Sequence, residues 1–359
     1  MYKIKAAVLR EKQSPLRIES LELEGPLDNE ILVRIVSTGI CHTDISCLDD
    51  WDRTSEPVIL GHEGAGMVIE VGREVKNVDP GDHVILSYLS CGECRQCQNV
   101  QPWACQSFYE ANFGFKRLDG SNALQRNGVR GHFFGQSSFA TYSVVTERNI
   151  VKVPNDLDLE ILCPLGCGIQ TGAGTVMNSL AVPERSSIAI FGTGAVGLAA
   201  VMAARIVGAR PIIGVDINPA RLELALELGA THVINNRQDD ITSCISGITG
   251  GGVDFVLEIT GNPEMLQSAI SILNPHGTVA LLTSGSVPDY LTEGRKALSI
   301  IQGNAVPQLF IPKLITLYQE GLFPFDRLEK FYEFNDINQA IADARCGNTI
   351  KPVLRVREK

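Results

Sequence analysis

The turn Gly192-Thr193-Gly194-Ala195-Val196-Gly197 constrains this chain more than any other run of residues, because its three glycines close one apolar segment and open the next. The first glycine permits a tight turn, the second lets backbone approach a bound pyrophosphate, and the third lets a helix lie against the strand before it. The uncharged stretch 186–204 around it therefore reads as a buried strand, a turn and a helix, not as a membrane span. Nineteen residues beyond Gly197, Asp216 ends the next predicted strand. A carboxylate there accepts hydrogen bonds from ribose hydroxyls and repels a 2′-phosphate, which favours NAD over NADP. The competing role for Asp216 is a cap on the helix near Pro219, and Arg221 carries a charge that partly offsets repulsion of a phosphate.

Strands predicted at 187–191, 211–215, 232–234, 253–257 and 278–282 alternate with helices at about 195–207, 220–228 and 265–273, and Gly208 and Gly229 fall just past helix ends. That alternation predicts βαβ units and a parallel sheet. Ahead of it, from Ile4 to about Pro154, short β-rich segments such as 31–36 and 83–86 predict an irregular, mostly β domain. A helix at 310–318 and a returning strand at 350–356 suggest that the tail rejoins that first domain. The expected fold class is α/β, with one domain from 1–165 and 301–359 and a nucleotide-binding domain from 166–300.

A net charge of −10 argues against nucleic acid or anionic lipid as partner, since both select clustered positive charge. A small molecule is the expected partner. Lys3 and Lys5 interrupt the stretch where a signal peptide needs an apolar run, so a cytoplasmic location is expected. The chain has ten cysteines, crowded at 91–105 and 41–47 with the rest scattered, which suits metal binding in a reducing compartment better than a disulfide framework. Cys47, Cys163, Cys244 and Cys346 are expected to be small buried hydrophobes, and His83 a structural residue at a strand entrance.

Cys91, Cys94, Cys97 and Cys105 give four thiolates within a lobe at about 88–108, enough to close a tetrahedral zinc shell and leave no position for a substrate. A second set comprises Cys41 in Cys41-His42-Thr43-Asp44, His62 in Gly61-His62-Glu63 and the distant Cys167. Two sulfurs and one imidazole leave a fourth position open, as a catalytic zinc requires. Spacing alone does not bring the three together, and a lone histidine or cysteine is more often a core residue.

Gly61-His62-Glu63, with Gly66, Gly72 and Val75, fits the pattern GHExxGxxxxxGxxV, and with these motifs the chain resembles the zinc-containing medium-chain dehydrogenase/reductase family along essentially its whole length. The resemblance implies a GroES-like β-rich catalytic domain, a Rossmann domain, and substrate bound in the cleft between them. It assigns Cys41, His62 and Cys167 to a catalytic zinc and Cys91, Cys94, Cys97 and Cys105 to a structural one, with Glu63 able to approach the metal. Asp44 would orient His62. Segments 135–142, 164–174 and 310–315 look most like the bacterial aryl-alcohol and geraniol dehydrogenases within that family.

The implied activity is zinc-dependent, NAD-linked oxidation of a primary aromatic or allylic alcohol to its aldehyde by a homodimer or homotetramer. Zinc polarises the alcohol oxygen and hydride passes to NAD. Thr43 would bond the substrate oxygen and pass its proton on, its competing role being a local turn hydroxyl. Ser46 stands where many relatives place a relay histidine, so water is the alternative carrier. His42 falls where relatives place a basic residue on the pyrophosphate, or is a plain surface residue. Trp51 is a candidate wall of the substrate pocket, or packs on its own loop. The stretch between Leu282 and Gly303 looks shorter than in aryl-alcohol relatives. The rival readings are a formaldehyde–glutathione or polyol dehydrogenase on the same scaffold and, more remotely, a non-catalytic NAD- or zinc-binding protein.

Overall fold

Aliphatic and β-branched residues recur at short intervals between glycine-bearing turns in the first part of the chain, and there the strands form. The computed structural model describes residues 1–50, 57–124, 127–282 and 291–357. The chain divides into two units, Met1–Cys167 with Val306–Lys313 and Asp326–Lys359, and Gly168–Ala305 with Leu314–Phe325.

The first unit opens with β1 (Tyr2–Leu9), β2 (Arg17–Leu23), β3 (Glu30–Gly39), β4 (Val58–Ile59), β5 (Gly64–Val71), β6 (His83–Leu86), β7 (Tyr142–Thr146) and β8 (Ile150–Val153). β1 pairs antiparallel with β2 and β4. β3 pairs antiparallel with both β5 and β7 and is buried over most of its length, which is why Ile31–Val33 and Ile35–Val36 are apolar with only Arg34 between them. Its first residue, Glu30, is a buried carboxylate matched by Arg117, whose Nε and Nη2 donate at 2.6 and 3.0 Å.

The second unit carries β9 (Ile188–Phe191), β10 (Ile212–Asp216), β11 (His232–Asn235), β12 (Val253–Glu258), β13 (Leu273–Leu281) and β14 (Lys296–Ser299). All neighbours are parallel, in the order β11-β10-β9-β12-β13-β14. Counted from the unit's first strand this is 3-2-1-4-5-6, the doubly wound arrangement whose order reverses between β9 and β12. Phe191, Ile213, Val215, Val256 and Val279 belong to its core.

The helices Ala195–Ile206 and Pro219–Leu228 stand where the periodicity predicts them. The next one does not run to 273: it ends at Ser271, and Leu273 already belongs to β13. Ile272 and Leu273 suit a helix face or a strand equally, and a register shift between Val253 and Phe255 lets the strand begin early. Helix Ile241–Thr249 escaped prediction because serine, threonine and glycine, all weak helix formers, surround its buried pair Ile241 and Ile245.

The returning tail supplies β15 (Glu329–Glu333) and β16 (Lys351–Arg355) to the first unit. β16 lies antiparallel to β3 and parallel to β15. Among the described residues no helix is long and apolar enough to cross a membrane.

Glu329 opens β15 opposite Lys351, with both carboxylate oxygens buried and no hydrogen-bond partner among the described residues. Burial first, then the charges of Asp326, Glu63 and Asp158, push its carboxyl up to about 9 against the opposing pull of Lys351; the Cys163 thiol also faces it. The folded state therefore holds a proton there that the unfolded chain releases above its ordinary pKa of 4.5. Stability from this group is complete below that value and drains away as pH rises toward 9. Glu329→Gln should remove the dependence: its melting temperature, relative to the parent, should rise by about 3 °C or more between pH 6 and 8.5 in calorimetry. A pH-independent difference would discard the buried-acid explanation.

Candidate active site

Cys41 precedes helix His42–Asp49, and its amide donates to Asp44 Oδ2 at 3.0 Å. The other oxygen, Oδ1, accepts from the Gly61 amide at 3.0 Å and lies 3.1 Å from His62 Nδ1. One fully buried carboxylate thus ties the Cys41 turn to the His62 turn and fixes the imidazole with Nε2 pointing the other way. Among the described residues that buried Nε2 has no partner at hydrogen-bonding geometry, and the group reaching toward it is the Cys41 thiol. The His62 ring stacks on Phe134 with centroids 4.5 Å apart and meets the edge of Phe133 at 5.5 Å.

One ligand atom each from Cys41, His62, Glu63 and Cys167 lies within 4.8 Å of the others. An imidazole nitrogen orphaned in the interior, facing two thiols, is a costly arrangement unless a cation completes it. Burial lowers the His62 pKa, but Asp44 and Cys41 outweigh it and the net shift is upward. The Cys41 thiol is drawn well below its usual range, first by its hydrogen bond with Cys167, then by Lys351 and His62. The site thus favours thiolate, the form that binds metal.

Glu63 is fully buried, and both of its oxygens accept from Lys351 Nζ at 2.9 Å. Lys351 is itself 2% exposed, and its Nζ also donates to the Ile40 carbonyl at 3.3 Å. Burial works against its charge, yet Glu63 and Cys41 more than compensate and raise its pKa. Sequence reasoning missed this lysine. The available signal was a cation inside the predicted apolar strand 350–356, which has to find a counter-charge if it is buried.

The four sulfurs of Cys91, Cys94, Cys97 and Cys105 also lie within 4.8 Å of one another. Cys91 Sγ is 3.4 Å from Cys105 Sγ and 4.0 Å from Cys97 Sγ, bracketing the ~3.8 Å that tetrahedral zinc–sulfur bonds of about 2.3 Å impose. Amides of Cys97 and Gln106 draw the Cys94 thiol down to about 6. The set is closed and consists of sulfur alone, which suits a zinc that holds a loop together.

In the second unit, Gly192 adopts φ +96°, and a Cβ on Gly197 would lie 1.9 Å from the Gly192 carbonyl oxygen, so neither position accepts a side chain. A Cβ on Gly194 would meet nothing within 4 Å, leaving room beside the turn at the helix N-terminus where a pyrophosphate binds. Asp216, at the end of β10, already accepts from the Thr193 amide at 2.7 Å, Thr193 Oγ1 at 3.0 Å and the Asn218 amide at 2.9 Å. These three donors fix the carboxylate and leave about one of its four acceptor positions open, on Oδ1. The cap of helix Pro219–Leu228 is instead Asn218, which accepts from the Ala220 amide. Arg221 is half-buried, its Nε without a partner among the described residues.

Thr43 is half-buried with Oγ1 3.8 Å from Cys41 Sγ, while His42 and Ser46 are exposed. Trp51 lies outside the described residues, as do 283–290 of the apparently shortened segment. Of the cysteines expected in the core, Cys163 is buried, Cys47 and Cys244 are partly so, and Cys346 is exposed. Cys346 follows the last turn of helix Ile337–Arg345, where the chain has left the buried face.

Comparison with known proteins follows the same division of the chain. Residues 27–155 match the alcohol dehydrogenase GroES-like domain, and residues 195–302 match the zinc-binding dehydrogenase family. The chain is 44% identical to geraniol dehydrogenase of Castellaniella defragrans over 97% of its own length and 96% of the relative's. It is 36% identical to S-(hydroxymethyl)glutathione dehydrogenase of Synechocystis, over 98% and 99%. The crystal structure of benzyl alcohol dehydrogenase from Acinetobacter calcoaceticus superposes with a TM-score of 0.96 at 44% identity, covering 99% of this chain and 100% of that one.

Proposed function

Because the chain belongs to the zinc-binding, GroES-like alcohol dehydrogenase family, we propose that it catalyses the reversible, NAD-linked oxidation of a primary aromatic or allylic alcohol to its aldehyde. The observation that carries this reading is the convergence of Cys41, His62 and Cys167 around an orphaned, buried imidazole nitrogen. Three such ligands leave one position for a substrate oxygen. Relatives named for geraniol and benzyl alcohol support the substrate class.

When bound, zinc supplies a Lewis acid that lowers the pKa of an alcohol oxygen, and NAD supplies the acceptor for hydride. The rest falls to the chain's own residues. Cys41, His62 and Cys167 hold the metal, Asp44 keeps the imidazole turned toward it, and Lys351 holds Glu63 by both oxygens. Thr43 Oγ1 would accept the alcohol's hydroxyl proton while its own proton passes to water, which carries it onward with Ser46 exposed in the relay position. Gly192, Gly194 and Gly197 would admit the pyrophosphate, Asp216 would hold the adenosine ribose, Arg221 would offer positive charge to the cofactor's phosphates and His42 a ring hydrogen-bond donor. Cys91, Cys94, Cys97 and Cys105 hold the second zinc. The reading extends to a cytoplasmic homodimer or homotetramer; the gathering of six cysteines into two metal-ligand sets supports a reducing compartment.

The test is NADH formation with benzyl alcohol, geraniol, ethanol, sorbitol and S-(hydroxymethyl)glutathione, each with NAD and NADP, before and after zinc chelation. Chelator-sensitive turnover fastest with benzyl alcohol or geraniol is expected. A preference for S-(hydroxymethyl)glutathione or sorbitol would replace the substrate class, and chelator-resistant turnover would remove the metal from the mechanism. In the same assay Asp216→Gly should lower the NAD-over-NADP preference by about 10-fold or more. An unchanged ratio would take Asp216 out of cofactor selection.

A further inference from the structure

Gln136 is 2% exposed and reaches three separate pieces of backbone. Its Nε2 donates to the His62 carbonyl at 2.9 Å and to the Ser87 carbonyl at 3.1 Å, while its Oε1 accepts from the Gly64 amide at 3.1 Å. Both amide hydrogens and one lone pair are engaged, so the carboxamide has a single orientation. Ser87, fully buried just past β6, donates from Oγ to the Gly166 carbonyl at 2.7 Å. A Cβ on Gly166 would lie 2.1 Å from the Leu86 carbonyl oxygen, so this turn presses directly on the end of β6. Gly166 is the residue before Cys167.

The backbone around Gln136 is bent to deliver this contact. His132, Phe134 and Ser137 adopt φ of 63°, 52° and 51°, a left-handed conformation that non-glycine residues rarely hold. Ser137 Oγ, which donates to the Ile59 carbonyl at 2.6 Å and accepts from the Phe133 amide at 2.9 Å, pins the bend in place. The same bend delivers Phe133 and Phe134 to the His62 ring.

Asp44 links the Cys41 turn to the His62 turn. We infer that Gln136 and Ser87 are positioning residues that form one hydrogen-bonded tie from the His62 turn, through the end of β6, to the Cys167 turn, and so set the relation of imidazole to thiolate at the metal. This rests on the reading that Cys41, His62 and Cys167 hold the catalytic metal. The tie acts through backbone carbonyls and touches neither metal nor substrate.

The test uses the full chain with cobalt exchanged into the three-ligand set and zinc kept in the four-cysteine set. Gln136→Met keeps the length of the side chain and removes all three hydrogen bonds; Ser87→Ala cuts only the link to Gly166. Each should shift the visible cobalt bands and speed metal release to a chelator from that set by about 10-fold or more, with release from the four-cysteine set unchanged. Combined, they should do little more than the stronger single change, because both cut one tie. Unchanged bands and release in both variants, equal acceleration at both metal sets, or fully additive effects would each overturn the tie. Should Gln136→Met fail to fold, Ser87→Ala alone carries the spectrum and release arms. A parent protein that takes up metal at the four-cysteine set alone would overturn the catalytic-metal reading together with the tie, whereas two metals in the parent and unaltered variants would overturn the tie only.

Discussion

His62→Ala should bind one zinc per chain where the parent binds two, and its kcat/KM for the best alcohol should fall by about three orders of magnitude. The zinc's share of transition-state stabilisation is several kcal/mol, and each ~1.4 kcal/mol is tenfold in rate. Alanine removes the imidazole nitrogen and also leaves Asp44 Oδ1 facing a hole, although the Gly61 amide still donates to it. Asp44→Asn should do less. It leaves all three ligands in place but weakens their orientation, for which a loss of about 10- to 100-fold in metal affinity is typical. Metal content by mass spectrometry, read beside steady-state kinetics, decides the matter. A His62→Ala enzyme with two zincs and near-parental turnover would move the catalytic centre elsewhere.

Lys351→Met should destabilise the zinc-loaded protein by about 3–5 kcal/mol, the cost of leaving a buried charge without its partner. The methionine fills much of the same volume, so a packing defect contributes little. What remains is the Glu63 carboxylate, fully buried and pushed toward protonation by that burial once its counter-charge is gone. Adding Glu63→Gln should therefore recover most of the loss, because a neutral amide tolerates the interior far better than an unpaired anion. Urea unfolding of the two single variants and the double variant measures the coupling directly. If the single change costs under about 1 kcal/mol, or the double is no better than the single, the pair is not the electrostatic unit that its 2.9 Å contacts suggest.

What could be read from the sequence divides along a physical line. The glycine turn and the clustered cysteines are local patterns, each residue type demanded by its neighbours, and both stand out in the sequence alone. Strands β9 to β12 were legible for the same reason, since a short apolar run between turn residues has few alternatives. Lys351 and Gln136 were not, because their roles depend on partners 288 and 74 residues away and neither residue type announces a distant contact. Cys346 was misjudged from the burial habit of cysteine in general, which says nothing about a residue one step past a helix end.

The order β15-β16-β3 bears on how the protein is made. Gly39 pairs with Val353, so the end of β3 from Ser37 to Gly39 has to wait for a strand synthesised more than 300 residues later. At translation rates of about 5–20 residues per second that interval lasts roughly 15–60 s. All the residues of β9 to β14 emerge in between, so the nucleotide-binding sheet can close while the metal-binding unit still exposes an unpaired edge and an unneutralised Glu63. During that window the nascent chain is vulnerable to wrong pairing at residues 37–39, where a shielding chaperone would act at the greatest need.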